Sequence, residues 1–199
     1  MADTYKTVSK EVCEGFYSEK RSKFLAFVHH VDSVDEAMAI VKEYRKKYYD
    51  ARHCCYAYVL GSDRADFRAN DDGEPSSTAG RPILGQLLSH ETTDCLIVVV
   101  RYFGGTKLGV PGLIAAYKES AAEVLAAARI VQRTVDRRIA VTFSYAAMND
   151  IMRIVKEEQP AVESQRFDNL SSIVLRIRAS RAERLTERLR KVEGATIET

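Results

Sequence analysis

Three carboxylates fall within four positions of the stretch DDGEPSSTAGRPIL, residues 71–84: Asp71, Asp72 and Glu74. Oxygen donors this close can share one hard cation such as Mg²⁺. They can also work as an acid/base pair whose mutual repulsion spreads their pKa values. The same residues make an ordinary turn if Asp71 or Asp72 closes an Asx turn before Gly73 and Glu74 stays in water. Ser76, Ser77 and Thr78 come next, ahead of an apolar run. Free N–H groups at a helix start there would cradle an anion, provided a bridging metal, or Arg81 and Arg101 close by, offset the carboxylates. A second unusual stretch, VVVRYFGGTKLGVPGL at residues 98–113, carries an apolar strand into a glycine-rich loop. Gly104 and Gly105 let a backbone approach a ligand closely, or they make a turn that needs positive φ. Arg101, Tyr102 and Lys107 flank them. Neither G-x-x-x-x-G-K-[ST] nor G-x-G-x-x-G occurs, so the spacing fits no nucleotide fingerprint.

Other reactive side chains have bland explanations. His53 adjoins Cys54 and Cys55, but neighbours on a strand point to opposite faces, so the three cannot converge on one site. His29, His30 and His90 lack companions at metal-ligand spacing. Arg181, Arg184, Arg188 and Lys191 share one face of a helical stretch and read as a solvated face.

Positioning these residues requires a set of elements that the periodicity supplies. SKFLAFVHHV, from Ser22, is aromatic and β-branched and predicts a strand. Ser33 followed by Glu36 makes a capping box for a helix that carries Ala37, Ile40, Val41 and Tyr44 at helical spacing. HCCYAYVL predicts a strand ending at Gly61, and the polar stretch 62–75 predicts a loop. The hydroxyls at 76–78 open a helix through AGRPILGQLLSH, with Pro82 in its first turn. DCLIVVV, apolar throughout, predicts a central strand covered on both faces. GLIAAYKESAAEVLAAARIV predicts a long helix. From Val135 the pattern restarts as β-α-β-β-α-β, the ferredoxin-like arrangement. Two domains are therefore expected, 1–134 and 135–199, in a mixed α/β (α+β) fold.

Composition narrows the function classes. Hydrophobic residues at 46% and charged residues at 29% describe an ordinary globular chain. The apolar runs are too short to cross a bilayer, which takes about 20 residues, so no membrane role is expected. The start, MADTYKTVSKEVCEG, lacks the apolar core of a signal peptide, and the four cysteines read as reduced core thiols of a cytoplasmic protein. Residues 1–134 carry 18 basic and 18 acidic side chains, and residues 135–199 carry 12 and 10. Neither half shows the basic excess of a dedicated nucleic-acid binder. At most about three phosphate contacts are expected from the first half, which gives a log–log salt slope near −2 on a single strand.

RHCCYAYVLG, DDGEPSSTAGRPIL and VVVRYFGGTKLGVPGLIAAY, in that order, resemble the IMPACT family in its bacterial, YigZ-type branch. The resemblance covers roughly residues 5–130. It implies a first domain like the second domain of a small-subunit ribosomal protein and the RNase PH core, and a tail similar to the last domain of elongation factor G. It also implies a link to translational control, which eukaryotic relatives exert by competing for an activator of a starvation kinase. Ser77 stands where the family motif carries glycine, Pro111 where it carries glycine, and Ala115 where it carries arginine.

The combined expectation is a binding protein acting in translation or on RNA, with RNA, the ribosome or a regulatory protein as partner and no cofactor. Its surface would gather Asp71, Asp72, Glu74, Ser76, Thr78, Arg81, Arg101, Tyr102, Gly104, Gly105 and Lys107. A metal-dependent phosphoryl-transfer or hydrolytic enzyme built on Asp71, Asp72 and Glu74 is one alternative. A protein-only adaptor, whose loops serve the fold alone, is the other. If one composite surface forms, Arg101 should pair with one of the three carboxylates.

Overall fold

The computed structural model describes residues 3–168 and 170–198. The chain divides into two compact units, one over Tyr5–Arg133 and one over residues 134–198 together with 3–4.

The first unit is built on a five-stranded antiparallel sheet in the order β2(Cys13–Glu19), β3(Ser22–His30), β6(Cys95–Tyr102), β4(His53–Leu60), β5(Asp66–Asn70). β6 is central because every residue from Cys95 to Val100 is apolar, and only a strand covered on both faces can bury them all. On one face, Ile97 and Val99 pack with Cys55, Ala57, Phe24 and Ala26 beneath α2(Gly80–Ser89) and α3(Gly109–Ala127). On the other, Leu96, Val98 and Val100 pack with Tyr56, Tyr58 and Phe27 beneath α1(Val34–Lys47). β1(Thr4–Val8) and β7(Ile130–Thr134) form a separate two-stranded ribbon.

At the start of α1, Ser33 Oγ accepts from the Glu36 N–H at 3.2 Å. The Glu36 carboxylate reaches one residue further than a capping box requires and accepts from the Asp32 N–H at 2.7 Å. α2 departs from expectation. Its first residue is Gly80, its N-cap Ala79 supplies no side-chain bond, and the hydroxyls at 76–78 do not cap it. Asp71 does so from a distance: Oδ1 accepts from the N–H groups of Ala79 and Gly80 at 3.0 and 2.8 Å, and Oδ2 from that of Ser77 at 2.8 Å. Ser77 sits at φ +65°, a left-handed conformation that disfavours a side chain. Ser77→Gly is therefore expected to raise the stability of the first unit by about 1 kcal/mol, read from urea denaturation. An unchanged midpoint would show that no strain is held there.

In the second unit, β8(Asp136–Ser144), β9(Ala161–Arg166), β10(Leu170–Arg178) and β11(Ala195–Glu198) form an antiparallel sheet in the order β11-β8-β10-β9. α4(Met148–Glu158) and α5(Ala179–Arg190) cover the face carrying Ile139, Val141, Phe143, Ile173 and Leu175. This is the ferredoxin-like order. The arginines of α5 are not merely solvated. Arg181, Arg184 and Arg188 converge on the buried carboxylate of Glu158 at 3.4, 3.1 and 2.7 Å. The Arg188 hydrogen bond holds the Glu158 carboxyl below its ordinary range.

Candidate functional site

The acidic loop and the glycine loop meet at one end of the central strand, but their carboxylates part company. Asp71 is spent capping α2, so the N–H groups that would cradle an external anion are already filled by the chain itself. Asp72 faces the opposite way. Oδ2 accepts from the Cys54 N–H at 2.6 Å, and Oδ1 pairs with Arg45. Glu74 alone turns inward. Its Oε1 accepts from Arg101 at 2.5 Å and from the Tyr117 hydroxyl at 2.8 Å, with both partners buried. The expected pairing of Arg101 with the acidic loop is thus made through Glu74. Because the three carboxylates do not converge, the shared-cation arrangement and the acid/base pair are both lost. Among the described residues no group of three His, Cys, Asp or Glu side chains is placed to hold a metal ion.

The buried network continues from Glu74. The Cys55 thiol has two acceptors within reach of its one proton, the Asp71 carbonyl at 3.0 Å and the Tyr117 oxygen at 3.3 Å. Burial pushes both the Cys55 thiol and the Tyr117 phenol well up, so each keeps its proton and donates. Cys54 and Cys95 are likewise pushed up by burial, to about 11 and about 12. These thiols pack in the core and are poor nucleophiles.

Arg101 lies between aromatic rings, with its guanidinium 5.5 Å from the Phe24 centroid and 5.8 Å from that of Phe103. It also donates weakly to Ser22 Oγ at 3.4 Å, while its buried Nε has no hydrogen-bond partner among the described residues. Ser22 accepts in addition from the Gly104 N–H at 3.2 Å, which ties the glycine loop to the β2–β3 turn.

Above this pair opens a cleft of about 430 Å³. Glu74 and Arg101 floor it, Arg52, His53, Phe103 and Lys107 rim it, and Pro75, Leu108, Val110 and Leu113 form an apolar wall. Phe103 keeps 40% of its surface exposed, and Arg52 stacks over it at 5.7 Å. His53 is held by a 2.8 Å hydrogen bond from Nδ1 to the Asp72 carbonyl, and its Nε2 lies 3.7 Å from Glu74.

Of the residues expected from sequence, the cleft takes Glu74, Arg101 and Lys107. Ser76 is exposed beside it, whereas Thr78 is buried and donates to the Pro75 carbonyl at 2.6 Å. Arg81 is exposed on α2, and Tyr102 turns to the α1 side, where its hydroxyl donates to Asp50 at 2.9 Å. Gly104 serves the fold, as a Cβ there would lie 2.0 Å from the Arg21 carbonyl carbon. Gly105 adopts φ +88° in open space, as a turn requires. Sequence reasoning missed Arg52, Phe103 and Tyr117, and set His53 aside. For His53 the signal was present: strand alternation separates it from Cys54, and the same alternation puts it on the Cys55 face with Arg101 as its cross-strand partner.

A family profile described as the Impact N-terminal domain matches residues 20–125. The chain is 38% identical to the IMPACT family member YvyE of Bacillus subtilis (strain 168) over 159 residues, 80% of this chain and 73% of that one. It is 44% identical to the IMPACT family member YigZ of Escherichia coli (strain K12) over 100 residues, 49% of each. In three dimensions it is similar to a crystal structure of a hypothetical protein, with a TM-score of 0.75 and 25% identity over 99% of this chain and 97% of the other. No helix among the described residues is long and apolar enough to cross a membrane.

Proposed function

Because this chain belongs to the IMPACT family, we propose that it acts by binding an anionic partner of the translation machinery, RNA or the ribosome, in the cleft at the end of β6. One observation carries the reading. Asp71 and Asp72 spend their oxygens inside the fold, while Glu74 and Arg101 neutralise each other beneath a cleft rimmed by Arg52, Lys107 and the exposed Phe103. A floor without net charge under a cationic rim favours a phosphate at the mouth, and an exposed ring offers a base a stacking face. The translational setting is what the family resemblance implies.

Binding of a fluorescein-labelled single-stranded oligouridine, followed by anisotropy, tests the reading, with ribosome co-sedimentation alongside. Phe103→Ala is expected to weaken oligouridine binding roughly 10- to 100-fold, the range of one base–aromatic stack. Unchanged affinity in that variant, or no binding of RNA or ribosomes by the parent chain, would overturn the proposal. Competition by an acidic peptide at equal affinity would move the partner class to a protein.

A further inference from the structure

The balanced charge of the first unit conceals a strong asymmetry along its strands, and the topology reveals it. At the end of the sheet away from the cleft lie Asp32 after β3, Asp35 in the first turn of α1, Asp63 and Asp66 at the β4–β5 turn, and Glu91 and Asp94 ahead of β6, against Arg64 in the same turn and Lys6, which pairs with Glu91. The cleft end gathers cations from three distant stretches. Lys20 and Arg21 form the β2–β3 turn, and Lys23 stands opposite Tyr102. α1 ends there with Lys46 and Lys47, and its loop brings Arg52 in by a hydrogen bond from its N–H to the Arg101 carbonyl. Lys107 completes the set from the glycine loop. All seven side chains belong to exposed residues, and none of the ion pairs among the described residues holds one of them. Glu19 and Asp50 oppose them at this end, and Asp50 accepts from the Tyr102 hydroxyl; Asp71, Asp72 and Glu74 lie here too, with Asp72 paired to Arg45, Glu74 to Arg101 and Asp71 held by the N–H groups at the start of α2. Basic residues in the last turn of α1 ordinarily offset its dipole, but that does not account for Lys20, Arg21, Lys23, Arg52 or Lys107.

A second, independent observation points the same way. Lys20 and Arg21 occupy a two-residue hairpin turn at φ +46° and +68°. Such turns strongly prefer Asn-Gly, because both positions need left-handed backbone. Two long cationic side chains there cost stability, and strain of this kind concentrates where it serves a site. Two rings are exposed in the same region, Phe103 at 40% and Tyr49, three residues before Arg52, at 85%.

We infer that the cleft is the mouth of a longer track for single-stranded nucleic acid. The track wraps the end of the sheet from Lys107 and Arg52, on the α3 side, to the β2–β3 turn and the end of α1. Exposed rings suit unstacked bases, which a duplex does not present, and cations on both sides of the strand ends suit a continuous backbone. The inference rests on the proposed binding role and extends it to a defined path.

Binding of labelled single-stranded RNA, single-stranded DNA and duplex RNA to the full chain, each over a salt series, tests it. Engagement of five to seven cations predicts a log–log slope steeper than about −3 on a single strand, and a shallower slope overturns the track. The decisive variant is the double substitution Lys20→Asn with Arg21→Gly. It should raise the melting temperature by a few degrees, as relief of strain worth about 1–2 kcal/mol would, and yet weaken single-strand binding about tenfold. The opposite pattern, affinity retained while Phe103→Ala abolishes it, would leave the cleft as the site and overturn the track. Loss of all single-strand binding in the parent chain would overturn both. Tighter binding of duplex than of single strands would overturn the track alone. RNA and DNA bound alike would place recognition in phosphates and bases, and a preference for RNA would add contacts to the ribose; either result supports the path.

Discussion

Arg101→Ala is expected to destabilise the first unit by about 3–5 kcal/mol, the usual consequence of leaving a buried charge without its partner. Glu74 is 9% exposed, and its Oε1 would keep the Tyr117 hydroxyl, a neutral donor, and the more distant His53 Nε2 at 3.7 Å in place of a guanidinium. Arg101 also fills the space between Phe24 and Phe103, so truncation removes packing as well as charge. Tyr117→Phe removes one hydrogen bond from the same carboxylate and should cost less, about 1–2 kcal/mol. The chain has no tryptophan, so urea unfolding is best followed by far-UV circular dichroism. A loss below about 1 kcal/mol for Arg101→Ala would mean that Glu74 does without its partner at little cost, and that the pair does not organise the cleft.

The second large effect is expected at Gly104. A Cβ added there would lie 2.0 Å from the carbonyl carbon of Arg21, 2.3 Å from the Ser22 nitrogen and 2.4 Å from the Arg21 oxygen. All three are backbone atoms and cannot swing aside. Gly104→Ala must therefore separate the glycine loop from the β2–β3 turn, breaking the bond from its N–H to Ser22, at a cost of about 3 kcal/mol or more. Gly105→Ala is the matched control. Its Cβ meets nothing within 4 Å, so only the left-handed φ is penalised, by about 1–2 kcal/mol. Equal losses at the two positions would show that conformation, and not close approach, explains this glycine pair.

These two cases show what the sequence made legible and what it did not. The central strand could be read directly, because an unbroken apolar run from Cys95 to Val100 has one stable place, between two covered faces. The ferredoxin-like tail was legible for the same reason, as its alternation and helical periods are strong. The stretch that forms β5 predicts a loop, since Asp66, Arg68 and Asn70 are polar, and the strand exists because β4 offers it an edge to pair with. β1, β2 and β7 lie at edges or in a small ribbon and bury too little to leave a clear pattern.

The site divides in the same way. The type of each loop residue suggested chemistry, but only geometry assigns Asp71 to a helix start, Asp72 to a strand edge and Glu74 to an arginine. The basic end of the sheet was hidden for a different reason. Its cations come from residues 20–23, 46–52 and 107, and a count over the whole unit cancels them against acids at the other end. The small number of phosphate contacts expected from sequence followed from that cancellation.

The most direct test of a nucleic-acid site at the end of β6 is photocrosslinking of the full chain to a single-stranded RNA carrying 4-thiouridine, with adducts located by mass spectrometry. Adducts on peptides containing Phe103 and Tyr49 are expected, diminished by unlabelled competitor and by the Phe103→Ala substitution. Adducts confined to the second unit, or none on either peptide while the RNA is bound, would contradict it.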